Sequence, residues 1–158
     1  MNKLSKRINN LSESATLAMS RLSRELKQQG KDVISLSLGE PDFNTPDFIK
    51  NSAVQAINDN FSHYTPVPGI LELRKSICKK FYRDNNLEFN ENQIVVSTGA
   101  KQSIANVCLS LLDKGDEVIL LAPYWVSYFE IVKLCGAKPI VVESKIENNF
   151  KSSVKEIE

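Results

Sequence analysis

The 158-residue chain reads as an α/β protein with a parallel sheet flanked by helices. Three observations predict this. Short apolar runs alternate with stretches of helical periodicity, the order expected of a βαβ series. The runs Ile94–Val96 and Glu117–Leu121 are rich in β-branched and aliphatic residues without polar alternation, which suits strands covered on both faces. Between them, Ile104, Val107, Cys108, Leu111 and Leu112 recur at the spacing of one buried helical stripe.

The turn into that helix is the chemically informative part. Ser97, Thr98, Gly99 and Ala100 carry little side-chain bulk, so backbone N–H groups can approach an anion closely as the helix begins. Those N–H groups have no partner within the helix and lie at the positive end of its dipole, which suits a phosphate. Gly115, after Asp113 and Lys114, reads as the helix C-terminal cap. Ala122-Pro123 stops the second strand, and Tyr124, Trp125 and Tyr128 cluster just past its end, the edge where open α/β sheets bind ligands. A flat aromatic residue near a phosphate-sized turn points to a flat, phosphorylated ligand, and a packing cluster beside a tight turn is the alternative.

The remaining elements follow in order. Ser12-Glu13-Ser14 caps a helix whose positions Ala15, Ala18, Met19, Leu22 and Leu26 share a side, ending at Gly30. Val33–Leu38 reads as extended and runs into the loop Gly39–Phe43. Thr45-Pro46-Asp47 starts a helix with a capping hydroxyl and an acid in the first turn, with Ile49, Ala53, Ala56 and Ile57 as its buried stripe. Asn60–Ile70 contains two prolines and a glycine and reads as an irregular loop holding His63 and Tyr64. The lone histidine reads as a solvated loop residue, and Tyr64 as either an anion donor or surface packing. A helix bearing Ile70, Leu73, Ile77, Cys78 and Phe81 ends at Asn85-Asn86, and a polar turn from Asn90 to Gln93 leads to Ile94. Phe129, Ile131, Val132, Leu134 and Cys135 mark an apolar helix ended by Gly136. Lys138–Glu143 is a further strand, with Pro139 confining it to a strand start or a sheet edge. The polar stretch from Ser144 to Glu158 begins another strand-to-helix transition.

Composition excludes several classes. At 42% hydrophobic and 25% charged residues the chain is of ordinary globular make-up. A net charge of +1, with both signs interspersed, gives no footprint for nucleic acid or anionic lipid. The three cysteines, Cys78, Cys108 and Cys135, fall on apolar helical faces without CxxC spacing and read as buried thiols of a reducing compartment. Lys3, Lys6 and Arg7 lead into no apolar run of signal-peptide length, so the cytoplasm is the expected location.

Five segments taken together carry a family resemblance that also takes in the SAT tripeptide (Ser14–Thr16): GEPDF (Gly39–Phe43), YTPVPGILELR (Tyr64–Arg74), STGAKQ (Ser97–Gln102), GDEV (Gly115–Val118) and APYWVSY (Ala122–Tyr128). In this order and at these separations they resemble the class I and II aminotransferases of pyridoxal 5'-phosphate (PLP) fold type I, in particular the bacterial aspartate aminotransferase subgroup. The resemblance implies a mixed, mostly parallel sheet flanked by helices. Residues 1–30 would be an N-terminal arm and helix belonging to a small domain, and residues 31–158 the N-terminal part of the PLP-binding large domain. It implies that Gly99, Ala100 and Lys101 form part of the phosphate cup, that Trp125 stacks on the pyridine ring, and that Gly39 meets the substrate α-carboxylate through its backbone. Tyr64 would reach the PLP phosphate of a neighbouring subunit in a homodimer, and Trp125, Lys101, Ser14 and Thr16 would lie near the substrate. For Lys101 three settings stay open: the phosphate, an acidic substrate side chain, or solvent.

What the resemblance does not supply is equally informative. Family members have roughly the length of two to three domains. Their later portion carries the Schiff-base lysine, the aspartate beneath the pyridine nitrogen and the arginine that grips the α-carboxylate, and these 158 residues hold no counterpart. The expectation is therefore an N-terminal fragment, inactive by itself, of an enzyme moving an amino group between an L-amino acid, with aspartate the candidate, and a 2-oxo acid. A non-catalytic phosphate-ligand-binding α/β module and a fold type I lyase or synthase are the alternatives. No metal is expected.

Overall fold

The computed structural model describes residues 4–158. In chain order the elements are α1 (Lys6–Asn9), α2 (Ala15–Gln28), α3 (Asp47–Asn58), α4 (Leu71–Asn85), a 3-10 turn (Glu91–Gln93), α5 (Ala100–Leu111), β1 (Glu117–Ala122), α6 (Ser127–Leu134), β2 (Lys138–Glu143), a second 3-10 turn (Ile146–Asn148) and α7 (Val154–Ile157). They form two units. One comprises the residues up to Leu38 together with Gly99–Glu158, the other Gly39–Thr98.

The first unit is built on a β1–α6–β2 crossover. β1 and β2 pair in parallel, in a register that sets Glu117 beside Lys138 and Ala122 beside Glu143. The ladder is continued at both ends, where Lys138 N–H donates to Asp116 O (2.8 Å) and Ser144 N–H to Ala122 O (3.1 Å). Parallel strands cannot be joined by a tight turn, so the chain returns through α6, which packs on both strands. Leu120, Val132 and Ala137 are buried there, Val132 with only 2% of its surface exposed. Pro139 is the second residue of β2, where its missing N–H is tolerated at the edge of a two-stranded sheet.

Several sequence expectations are corrected. Ile94–Val96 is not a strand. Its backbone is extended at Ile94, but Val96 N–H donates to Pro68 O (3.0 Å) and Ile94 N–H reaches back to Glu91 O (3.4 Å). An extended segment becomes a strand only when a neighbour supplies a ladder, and among the described residues the ladder consists of β1 and β2. Ile94 is buried, whereas Val95 is exposed, not covered on both faces. Gly115 is not the cap of α5, because Leu112 already leaves the helix with an extended backbone. Gly115 belongs instead to a turn closed by Asp116 N–H on Asp113 O (3.2 Å) and by Asp113 N–H on the Asp116 carboxylate (2.7 Å).

The helix starts and faces are also adjusted. Ser14 caps α2 as expected, its Oγ accepting from Leu17 N–H at 3.5 Å. Thr45 does not cap α3. Pro46 is the N-cap residue and its carbonyl accepts from Ile49 and Lys50 N–H, while Asp47 in the first turn pairs with Lys50 at 2.6 Å. The predicted stripes are not buried throughout. Met19 and Leu22 of α2, Ile49 and Ile57 of α3, and Val107 and Leu111 of α5 are exposed, Ile57 to 75% and Leu111 to 74%. On α5 the half-covered positions are Ile104, Ala105 and Cys108, a stripe rotated toward α6, with Leu112 half-covered just past the helix end.

The second unit is tied by Arg74 and Gly69. The Arg74 guanidinium donates to Gly69 O (3.1 Å) and Glu91 O (2.8 Å), clasping the turn before α4 to the 3-10 turn after it. Gly69 has φ +98°, and a Cβ there would lie 2.7 Å from Val96 Cγ2, so both conformation and space require glycine. Asn86 closes α4 in the left-handed region, and Phe89 meets Phe81 edge to face with centroids 5.6 Å apart. All three cysteines are free and half-buried, not fully buried. Burial, and secondarily the neighbouring Cys108, pushes the Cys135 thiol above its ordinary pKa. No described helix is long and apolar enough to cross a membrane.

Two outcomes follow from these contacts. Gly69→Ala is expected to cost at least about 1 kcal/mol in a denaturant-unfolding measurement, because left-handed φ and a sub-contact Cβ act together; an unchanged midpoint would show that the turn relaxes freely. Cys135 is expected to react with iodoacetamide more slowly at pH 8 than an unperturbed thiol, since a raised pKa lowers the thiolate fraction, and to gain rate at higher pH. Mass mapping of the alkylated cysteines checks this, and Cys135 labelling first would contradict it.

Candidate functional site

The site is built at the start of α5 and at the corner after β1, both in the first unit. Gly99 is the N-cap residue of α5, with φ +83° and ψ 164°, and a Cβ placed there would meet nothing within 4 Å. Glycine alone takes this turn without strain, and the backbone borders open space. Gln102 and Ser103 N–H groups donate back to Gly99 O at 3.2 and 3.3 Å. The N–H groups of Ala100 and Lys101 have no acceptor within the helix, as at any helix start, and carry the positive end of its dipole.

Lys101 projects from this first turn, where a cation is electrostatically disfavoured. Its Nζ lies over the Trp125 ring, 5.3 Å from the centroid, and the negative face of the indole offsets part of that cost. Trp125 stands in the connection Pro123–Val126, and its carbonyl accepts from Tyr128 N–H at 3.0 Å, fixing the corner as α6 begins. The indole is 40% exposed. One surface thus holds helix-start amides, an ammonium group and an open aromatic face, an arrangement suited to an anion attached to a flat ring.

Beside it lies a cavity of about 610 Å³ with three walls: the segment Leu11–Ala15, the start of α5, and α6 with the residues just before it. Its lining is mostly apolar, with Ser12, Glu13, Ser14, Lys101, Gln102 and Glu130 among its polar groups. A largely apolar pocket with a few polar groups is the usual form of a small-molecule site.

Of the residues singled out from sequence, the structure brings Lys101 to Trp125, and Ser14 and Lys101 to the lining of one cavity. Thr16 is half-buried in the first turn of α2, outside the cavity lining. Gly39 and Tyr64 belong to the second unit. Gly39 has open space at its Cα, and the Tyr64 side chain is fully exposed. His63 is exposed in its loop, and no three His, Cys, Asp or Glu side chains among the described residues are grouped to hold a metal ion.

Sequence reasoning missed Glu130. Its Oε2 accepts from Ser12 N–H at 3.2 Å, and its carboxylate pairs with Lys133 Nζ at 3.3 and 3.4 Å. The Lys133 pairing is foreshadowed by the i, i+3 spacing. The bond to Ser12, 118 residues away, has no local signal.

The chain is 49% identical over 155 residues to an aspartate aminotransferase of Bacillus subtilis, covering 98% of this chain and 39% of that protein. It is 48% identical over 158 residues to a probable aspartate/prephenate aminotransferase of Rickettsia felis, covering 100% and 39%. Among solved structures, the aspartate aminotransferase of Thermus thermophilus with maleate superposes with a TM-score of 0.95 at 39% identity, covering 99% of this chain and 41% of that one. The chain therefore spans about two fifths of the length of the relatives it matches. The family described as Aminotransferase class I and II matches residues 31–158, and with this fold, helix start and aromatic corner the chain belongs to that family.

Proposed function

We propose that the whole protein to which these residues belong transfers an amino group between an L-amino acid, with aspartate the leading candidate, and a 2-oxo acid. Its family is PLP-dependent. The observation that carries the reading is the Gly99 turn with Lys101 held over the open face of Trp125. The residues present fit the cofactor: open space at Gly99 admits a phosphate to the α5 amides, and a partly exposed indole offers a stacking surface.

When bound, PLP supplies the electron sink for bond cleavage next to the substrate nitrogen. The chain's own residues bind and orient. The amides of Gly99, Ala100 and Lys101 would hold the phosphate, and Trp125 would set the plane of the ring. Lys101 and Ser14, which share a cavity, are suited to receive a side-chain carboxylate, with Thr16 nearby on α2. The Lys101 ammonium would exchange its place over the indole for a stronger, charge-assisted partner. Gly39 would offer its backbone to the α-carboxylate, its setting free of steric obstruction. Tyr64, with a fully exposed phenol, would reach a neighbouring subunit's cofactor phosphate in a homodimer.

We assign residues 1–30 to a small domain and residues 31–158 to the PLP-binding large domain. The apolar faces left open on α2 and α3 would be covered by the rest of the protein and by a second subunit. A cytoplasmic, biosynthetic role fits this reading.

The test uses the full-length protein. Trp125→Ala is expected to weaken PLP binding about three- to tenfold, the value of one aromatic stack, and to lower turnover. Cys135→Ser, away from the aromatic corner, should stay close to wild type. Cofactor titration by absorbance and steady-state turnover measure both. Equal losses in the two variants would mean that Trp125 is a packing residue and not part of the site.

A further inference from the structure

The segment between α1 and α2 has no regular structure, yet it forms one wall of the cavity that holds Ser14 and Lys101. Its position is set from a distance. Ser12 N–H donates to Glu130 Oε2 at 3.2 Å, and Glu130 lies on α6, the crossover helix of the sheet. The same carboxylate receives Lys133 Nζ, and both side chains are only 27% exposed. A partly covered carboxylate oriented by a cation is a stronger acceptor for a backbone N–H than a neutral group. α1 also packs on α6, so the segment is held from its N-terminal side as well.

From this we infer that Glu130 is a positioning residue. By anchoring the Ser12 amide it fixes the Ser14 wall of the cavity that Lys101 also lines, and so shapes that cavity for a substrate that carries a side-chain carboxylate. The inference rests on the aminotransferase reading above. A carboxylate at the end of a substrate side chain needs both walls at once. A substrate ending in a methyl or phenyl group makes no polar demand on Ser14.

The test uses full-length, PLP-loaded protein and two amino donors, one dicarboxylic and one monocarboxylic. Glu130→Ala is expected to raise KM for the dicarboxylic donor about three- to tenfold, the net value of one hydrogen bond, leaving its kcat and both constants for the monocarboxylic donor nearly unchanged. Glu130→Gln keeps an acceptor oxygen for Ser12 N–H and should restore most of the loss. A second readout does not depend on turnover. The Ser12 amide should be protected from hydrogen exchange in wild type and Glu130→Gln and lose that protection in Glu130→Ala.

If Glu130→Ala does not fold, Ser12→Pro removes the donor without touching α6 and should give the same KM pattern. Loss on both donors, loss in kcat, or equal behaviour of the Ala and Gln variants would overturn the inference while an active wild type leaves the aminotransferase reading standing. A PLP-loaded wild type that transfers no amino group from either donor would overturn that reading and the substrate role of Glu130 with it, and the exchange data would then report only a structural tether.

Discussion

A parallel pair of strands constrains the first unit more than any other feature. Every N–H and C=O of β1 facing β2 must be paired, and parallel pairing cannot be closed by a hairpin. The chain has to leave β1, cross over the sheet as α6 and return in register with Glu117 beside Lys138. That geometry explains why Leu120, Val132 and Ala137, one each from strand, helix and re-entry, form the buried centre. It also explains where Trp125 is found. The connection after Ala122 has few residues in which to turn from strand to helix, so its side chains stand at the carboxyl edge of the sheet, the usual place for ligands in open α/β folds.

The helix start at Gly99 adds charge to that edge. Amides without intrahelical partners and an ammonium group in the first turn raise the local positive potential, and the missing Cβ at Gly99 leaves the backbone open to close approach. In isolation this is unfavourable, and the indole face relieves only part of it. Anionic groups at this edge would offset the rest, as the proposed function has it.

The exposed apolar faces have a related meaning. Ile49 and Ile57 on α3 and Met19 and Leu22 on α2 follow helical periodicity as cleanly as the stripes that are covered. Periodicity records that a face is apolar. It does not say which surface covers it, nor whether that surface lies in the same 158 residues. On α5 the stripe is split, Ile104 and Cys108 turned toward α6 while Val107 and Leu111 remain exposed, because one helix of eight residues cannot cover a full apolar face.

The amino-acid sequence by itself determined the helices from Ala15, Asp47, Leu71 and Ala100, the two strands that pair, the glycine turn before α5 and the aromatic corner after β1. Each is set by local chemistry: side-chain periodicity, a capping hydroxyl at Ser14, the absence of bulk at Gly99, the proline at 123. The family was legible too, since its segments recur in order. Tertiary structure alone decided that Ile94–Val96 stays unpaired, because a strand needs a neighbour and the run of β-branched residues cannot state whether one is present. It alone decided that Lys101 lies over Trp125 and that Glu130 holds Ser12, contacts between residues 24 and 118 positions apart that no short-range pattern encodes. Local structure follows from neighbours in the chain, whereas a site follows from neighbours in space.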